Sequence, residues 1–509
     1  MVSLMRRNER GTRRQRAALS TDHYKRIVNP FEPLRVLSDD HVAHLHQSAL
    51  RYLADEGLRV LLPEARDIFA AHGCAVDEHM MVRLDPEVVT EALRAAPSAF
   101  ELAAPNPERR VDIGGRSLLL APVAGPPFVS DLHRGRRMGT LADQENFLRL
   151  TQHYDVMAVT APSVEPTDIA LNIRHLVADF STLTLSDKVP YVYARGRARV
   201  RDSFDLIKLR YGIESDDEFA QAPRCWTNIN TNSPRQLDIP MSLGIIDFAS
   251  MGQANIMTPF TLAGAMAPVT LAGALVLQHM EMLAAVTLAQ LVRPGAPVLY
   301  GAFTSNVDMK SGSPAFGTPE AMKGAIASGQ LARHVGLPWR SSGSSASQTT
   351  DAQAGYETMT NTYGAFLGGA NWIMHSAGWQ EGGLTANYEK FILDIEMCQM
   401  LAEVCQPVVV NDDELALDAI TEVGPGGHFF GVGHTLERFE TAFYPPVVFS
   451  RKNFEQWTED GSLRSDERAT HVWQKVLADF EPPPLDDGVR AGMADFVARR
   501  SAEGGATPD

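Results

Sequence analysis

The sequence predicts an α/β protein organised on a (β/α)8 barrel, with an N-terminal helical and α+β extension and helices at the C-terminal end. Three observations predict it. Short apolar runs of strand composition recur eight times, at 156–161, 189–194, 224–229, 255–260, 297–303, 337–340, 371–375 and 428–432. Longer stretches of helical periodicity fall between them, at 168–182, 200–211, 237–250, 269–291, 319–335, 352–367 and 388–404. Polar and aromatic residues follow the runs directly, most plainly at 368–384, where an apolar segment ends on His375 and enters a Gly-rich loop carrying Trp379, Gln380 and Glu381. Strand–helix alternation marks a parallel sheet, eight units suffice to close it, and the C-terminal ends of such strands are where ligands bind.

Residues 1–34 carry Arg6, Arg7, Arg10, Arg13, Arg14 and Arg16 without the apolar core of a secretion signal, so a flexible basic arm is expected there. Residues 35–140 read as a helical and α+β region. Its first helix is capped by Ser38, has Asp39 and Asp40 at the positive end of its dipole, lines one face with Val42, Leu45, Ala49 and Leu53, and stops at Gly57. A second helix follows Pro63, a third runs over 85–95, and extended segments follow at 111–120 and 128–131. The barrel is expected over 141–443, entered through a helix beginning at Leu141. Residues 444–509 read as a C-terminal extension with helices at 465–480 and 488–500 and a disordered tail at 504–509.

Composition narrows the function. Hydrophobic residues make up 44% and charged residues 21% of the 509, the balance of an ordinary soluble protein. The most apolar stretch, 263–277, is broken by Pro268 and too short to span a bilayer, so no membrane partner is expected. A formal charge of −16 disfavours nucleic acid, whose binding needs phosphates neutralised by Lys and Arg. Cys74, Cys225, Cys398 and Cys405 form no CxxC pair, which suits reduced thiols in the cytoplasm. A homo-oligomer is expected, with the C-terminal helices on the barrel exterior or against a second subunit.

A barrel would bring the residues after each strand to one mouth. These are Glu165, Arg195 and Arg197, Asn228, Asn230 and Asn232, Thr258 and Thr261, Ser305, Asn306 and Asp308, Arg340, His375 with Trp379 and Glu381, and His428 with His434. They include no HxH, HExxH or carboxylate cluster, so no metal is expected. No phosphate loop and no GxSxG elbow with triad partners is present. Aromatic residues are plentiful near the mouth: Trp226, Tyr300, Phe303, Trp339, Tyr356, Trp372 and Trp379, of which Trp372 and Tyr300 alternate with buried neighbours and read as core. An aromatic pocket without a metal suits a methylated ammonium, which cannot donate hydrogen bonds and is held by ring faces. A lyase or aldolase would need a Schiff-base lysine, and Lys310 and Lys323 read as loop or helix-surface positions. A non-catalytic barrel that binds methylated amines is a third reading.

The segments SQTTDAQAGYE (347–357), GANWIMHSAGWQEGGLT (369–385), NYEKFILDIEM (387–397) and VGPGGHFFGVGHTLERF (423–439) resemble the trimethylamine methyltransferase superfamily of corrinoid-dependent enzymes. The resemblance implies a (β/α)8 barrel that passes a methyl group from an amine to the cobalt of a separate corrinoid protein, with no cofactor held permanently. Founding members carry pyrrolysine, which would fall near 339–342, where this chain reads WRSS. It therefore resembles the non-pyrrolysine branch, which implies a quaternary amine such as glycine betaine; carnitine, proline betaine, choline and tertiary amines stay open. The resemblance implies His375 as the catalytic residue on the corrinoid side, with Ser305 also facing the partner-borne corrinoid. Arg340 is the candidate for a substrate carboxylate. Trp339, Phe303, Tyr356, Trp379, Glu381, Gln348, Gln353, Glu357, Asn228 and Asn230 are the remaining candidates for the substrate pocket.

Overall fold

A computed structural model describes residues 22–508. It divides into two compact units, one of Tyr24–Pro407 with Pro445–Asp509, the other of Met1–His23 with Val408–Tyr444. The arginines at 6–16 lie outside the described residues.

The larger unit is an α/β structure. Its main sheet contains β1 (Ser117–Leu120), β2 (Trp226–Thr231), β3 (Ala254–Pro259), β4 (Val298–Gly301), β5 (Trp339–Ser342) and β6 (Trp372–Met374). They are parallel, in the spatial order β1, β6, β5, β4, β3, β2, and Ile27–Val28 pairs antiparallel on β1. Beyond the two ends of this order, single contacts continue the pairing. Ala158 N–H donates to the Leu120 carbonyl at 3.0 Å, Val159 bridges Val189, and Tyr191 bridges Trp226, the last two in parallel sense. Eight helices follow the successive extended segments: α1 (Leu141–His153), α2 (Arg174–Leu185), α3 (Arg197–Tyr211), α4 (Ile239–Ser250), α5 (Leu271–Val292), α6 (Pro319–His334), α7 (Ala352–Leu367) and α8 (Tyr388–Val404). Their starts are chemically marked. A Thr140–Asp143 capping box opens α1, Thr318 followed by Pro319 opens α6, and Asp351 and Asn387 cap α7 and α8.

Side chains from the strands and bridging segments form one apolar cluster: Leu119, Val159, Val189, Trp226, Ile256, Leu299 and Trp372. Trp226 and Trp372 pack with ring centroids 4.7 Å apart. Leu102, Val111 and Ile113 of the Ala99–Leu102 and Val111–Gly114 hairpin join the same cluster. The helices bury their inner faces in a second cluster. The apolar α5 is long enough to cross a membrane by length and composition, and 78% of that window is buried inside the protein. At the C-terminal end of α1, the buried Lys188 Nζ donates to the carbonyls of Thr151, Tyr154 and Met157 at 2.5, 2.9 and 2.6 Å. It caps carbonyls that the helix end leaves without partners.

Three expectations fail. The apolar run at 428–432 is not a strand and lies in the smaller unit, where Gly424 and Gly426 take φ of +66° and +79° and Phe430 is exposed. Glycines in the left-handed region turn the chain where a strand would need it extended. The sheet takes Ser117–Leu120 instead, a segment read as part of the N-terminal region. The arm is ordered from Tyr24 onward, with Tyr24 and Ile27 buried. The tail is ordered as well: Ala506 is buried, its N–H donates to the Asn172 carbonyl at 2.8 Å, and its carbonyl accepts from Arg199 Nε at 3.1 Å.

Candidate active site

His375 follows the last residue of β6 with φ +56°. A non-glycine residue pays roughly 1 kcal/mol or more for that conformation, so the surroundings must hold it. They do so through the backbone on both sides. Ser376 N–H donates to the Ala121 carbonyl at 2.9 Å and Gly343 N–H to the Met374 carbonyl at 2.7 Å. Gly378 N–H donates to Asp394 Oδ2 at 2.9 Å, and Asp394 is itself paired with Lys390 at 2.8 Å in the buried face of α8. The loop is thus fixed by a helix that begins ten residues after Gly378.

The His375 imidazole is buried, and Ala124 N–H donates to its Nδ1 at 3.2 Å. That bond leaves the ring proton on Nε2. Burial, with the charge of Arg340 as the second cause, holds the imidazole well below its ordinary value, so it is neutral at physiological pH. Its ring lies 3.8 Å from the Trp379 indole, centroid to centroid, and 6.3 Å from Phe303. Gly383 lies against that indole: a Cβ there would sit 2.3 Å from Trp379 Cζ2, so only glycine fits. Phe303 stacks on Phe260 at 4.9 Å.

Arg340, in β5, is 2% exposed. Its guanidinium carbon is 5.7 Å from the Phe303 ring centre. Nε and Nη1 are buried without a hydrogen-bond partner, and burial pushes the group down to about 9. It remains charged at neutral pH. A buried guanidinium lacking a carboxylate costs several kcal/mol and is a strong attractor for an anion.

A cavity of about 380 Å³ opens beside this cluster. Its wall includes His375, Trp379, Met374, Tyr191, Tyr193, Arg195, Asn228 and Asn230. Asn228 donates to Asn230 Oδ1 at 2.6 Å and accepts from Thr258 Oγ1 at 2.8 Å, which fixes the amide orientation. Arg195 and Asn230 are exposed at the rim. The volume suits a small organic molecule.

The structure therefore brings together His375, Trp379, Asn228 and Asn230, with Phe303 and Arg340 packed behind them. It does not bring the other candidates to this cavity. Trp339 points the opposite way from a mouth residue, filling the space left by Gly329 and Gly368 between α6 and α7. Tyr356 is 73% exposed on α7. Gln353 is exposed and donates to Glu357 Oε1, and Gln348 is exposed and donates to the Ala346 carbonyl. Glu357 is a loop anchor, with Oε2 accepting from Ser345 Oγ and from the N–H groups of Ala346 and Ser347 at 2.7, 2.8 and 3.1 Å. Glu381 accepts from Arg136 Nε at 2.8 Å and Thr385 Oγ1 at 2.6 Å. Ser305 donates to the Ala315 carbonyl and lines, with Phe303 and Ser342, a separate pocket of about 30 Å³. Tyr191, Tyr193, Asp238, Met241 and Met374 are among the wall residues that sequence reasoning missed; for the two tyrosines, their spacing of two in an apolar run was the available signal.

The family described as trimethylamine methyltransferase (MTTB) matches residues 5–505. A glycine betaine methyltransferase of Desulfitobacterium hafniense (strain Y51) is 37% identical over 472 residues, covering 92% of this chain and 98% of that protein. A trimethylamine methyltransferase of Desulfitobacterium hafniense (strain DSM 10664 / DCB-2) is 30% identical over 474 residues, covering 92% and 94%. The crystal structure of the Methanosarcina barkeri monomethylamine methyltransferase superposes with a TM-score of 0.43 at 12% identity, covering 90% of this chain and 92% of that one.

Proposed function

The chain belongs to the trimethylamine methyltransferase family, and from that premise we propose that it moves a methyl group from a quaternary amine of the glycine betaine type to Co(I) of a corrinoid carried by a separate protein. The observation that carries the betaine reading is Arg340, a buried guanidinium with two nitrogens unpartnered behind the site. Similarity to a glycine betaine methyltransferase favours the same substrate class. Choline has no carboxylate to occupy that guanidinium, and trimethylamine has neither the carboxylate nor the fixed charge.

The residues divide the work by chemistry. A quaternary ammonium offers no N–H and is held by ring faces, here those of Trp379, Tyr191 and Tyr193 in the cavity wall. Arg340 would take the carboxylate, and Asn228 with Asn230 would close the polar side. The corrinoid supplies, when bound, a cobalt nucleophile for in-line attack on the methyl carbon. The cavity fits the amine, and its exposed rim at Arg195 and Asn230 is open to a cofactor presented from outside. The amine leaves with the electron pair of the broken N–C bond and needs no general acid for departure, because a quaternary nitrogen is already an activated leaving group. The chain's task is placement, exclusion of water and electrostatics. We place neutral His375 on the corrinoid side, where its Nε2–H is the available donor.

We read the sheet as a closed (β/α)8 barrel. The reading is supported by the Ala158–Leu120 hydrogen bond, the Val159–Val189 and Tyr191–Trp226 bridges, and one apolar cluster drawing on those segments and the strands. Four free, buried cysteines support a reducing, cytoplasmic setting.

The test is methyl transfer from a panel of methylated amines to cob(I)alamin, followed by loss of Co(I) absorbance, alone and with a cognate corrinoid protein. Transfer from glycine betaine or a related carboxylated quaternary amine is expected. Transfer from trimethylamine alone, or from none of the panel, would overturn the proposal.

A further inference from the structure

A second chamber of about 460 Å³ lies beside the mouth cavity. The two share Gly125, Pro162, Tyr191, Tyr193 and Arg195 in their walls, so they adjoin along the tyrosine pair. Gln144 of α1 and His175 and Asp179 of α2 line the far side. Gln144 is 3% exposed and its Oε1 has no hydrogen-bond partner. His175 is 8% exposed; its Nε2 lies 3.0 Å from Asp202 Oδ2, and its Nδ1 has no partner. Asp202 also accepts from Arg500 Nε at 2.7 Å, so it is the carboxylate of that pair and His175 Nε2 carries the proton. In the neutral imidazole His175 Nδ1 is then an acceptor, and Gln144 Oε1 is one at any pH.

Charge in the chamber points the same way. Arg174 is engaged by Glu165 at 2.6 Å and by the Ile169 carbonyl, and Arg199 by the carbonyls of Leu171 and Ala506. Asp179 accepts from Ser203 Oγ at 2.5 Å, and among the described residues no Lys or Arg pairs with it. Burial pushes the Asp179 carboxyl up to about 6, against the opposing pull of the Ser203 hydrogen bond and of nearby His175. Buried acceptors without donors are rare in proteins and mark a place for a hydrogen-bond donor.

Demethylation changes the substrate in the matching respect. The N–CH3 bond breaks, the electron pair stays on nitrogen, and the tertiary amine then takes one proton from solvent. The product acquires an N–H that the quaternary substrate lacks. Resting on the function proposed above, we propose that the side chamber is a second site that takes the demethylated product as a protonated tertiary ammonium, with its N–H donated to the Gln144 and His175 acceptors and its charge balanced by Asp179. Arg195, at the junction of the two cavities, is placed to meet the product's carboxylate. The quaternary substrate, with no donor, prefers the aromatic mouth.

The experiment is calorimetric titration of the full chain, without corrinoid, with N,N-dimethylglycine and with glycine betaine. Dimethylglycine should fill two sites and betaine one, with the second site preferring dimethylglycine at least tenfold. Gln144→Leu and, separately, Asp179→Asn should each weaken that second site at least tenfold while kcat/KM for betaine stays within twofold; thermal unfolding of both variants checks that they fold. Dimethylglycine should inhibit methyl transfer with a noncompetitive component against betaine, added to its competition at the mouth. A single dimethylglycine site, equal preference for the two ligands, or purely competitive inhibition relieved by neither variant would overturn the proposal. Methyl transfer to cob(I)alamin in the same preparation tests the parent reading separately. If transfer fails with every amine, selective second-site binding of dimethylglycine still upholds the chamber, and its absence sinks both.

Discussion

Replacing Arg340 by Met tests the substrate reading at its root. Burial in the folded protein lowers this guanidinium from the ordinary arginine range to about 9, a penalty of several kcal/mol on the charged form. Above about 9 and below the ordinary arginine range the unfolded chain holds the proton more tightly than the folded chain, so this group's contribution to stability rises with pH there. At neutral pH the folded state carries the penalty in full, and relaxation around the charge leaves roughly 2–5 kcal/mol of it to be recovered. Arg340→Met keeps the length and removes the charge, so the variant without ligand should unfold at a higher temperature. At roughly 1–2 °C per kcal/mol for a chain of this size, the rise should be about 2–10 °C by differential scanning fluorimetry. Glycine betaine should stabilise the parent protein and not the variant, because its carboxylate would no longer find a buried charge. Loss of a buried bidentate pair costs about 2–5 kcal/mol, so kcat/KM for betaine should fall roughly 30-fold to several thousand-fold. Any turnover of choline should change by less than about fivefold, within the range of a packing change. Equal losses for betaine and choline, or a variant less stable than its parent without ligand, would refute the reasoning.

His375→Ala should lower turnover at least tenfold while substrate KM stays within about threefold, since the histidine is placed on the acceptor side; a KM rise without loss of kcat would move it to the amine pocket. Because burial and Arg340 hold His375 well below 6.5, the unfolded chain alone gains its proton as pH falls below 6.5, stability from this group declines there, and kcat/KM should show no break near 6.5 that His375→Ala abolishes. Trp379→Leu removes a ring face from the ammonium and should raise KM for betaine about 3- to 30-fold, the span of cation–π energies of roughly 0.5–2 kcal/mol, with a neutral isostere of betaine binding equally to both forms. Lys188→Met leaves three α1-end carbonyls without their donor and should cost about 3–5 kcal/mol in urea unfolding, with the m-value unchanged; a loss below about 1 kcal/mol would show that the lysine is dispensable there.

Much of the architecture is legible because helix and strand periodicity are local. The seven helices expected between 168 and 404 appear at nearly the expected places, from Arg174–Leu185 to Tyr388–Val404. Two of the expected strands, at 156–161 and 189–194, survive only as isolated bridges at Val159, Val189 and Tyr191. An apolar run states that a segment wants burial, and cannot say which partner will pair with it. That is why Ser117–Leu120 was legible as an extended segment but not as a neighbour of Trp372–Met374, some 250 residues away in sequence.

The same limit decides the site. The sequence by itself determined the helix positions and the histidine and tryptophan that follow one strand. Trp339 and Arg340, both candidates for the pocket, are adjacent in a strand and lie on opposite faces, so only one of them can face it. Which face is inward was settled only by packing. Gly329 and Gly368 leave room for an indole between α6 and α7, since a Cβ at either position would sit 2.9 or 3.1 Å from the Trp339 ring. The tryptophan goes there, and the guanidinium of Arg340 is carried to the side of His375 and Phe303. Tyr356 was lost from the pocket for the converse reason: the face of α7 that packs is chosen by its neighbours, and the tyrosine is on the other. Periodicity fixes the relative orientation of side chains along one element; only contacts between elements distant in sequence fix it absolutely.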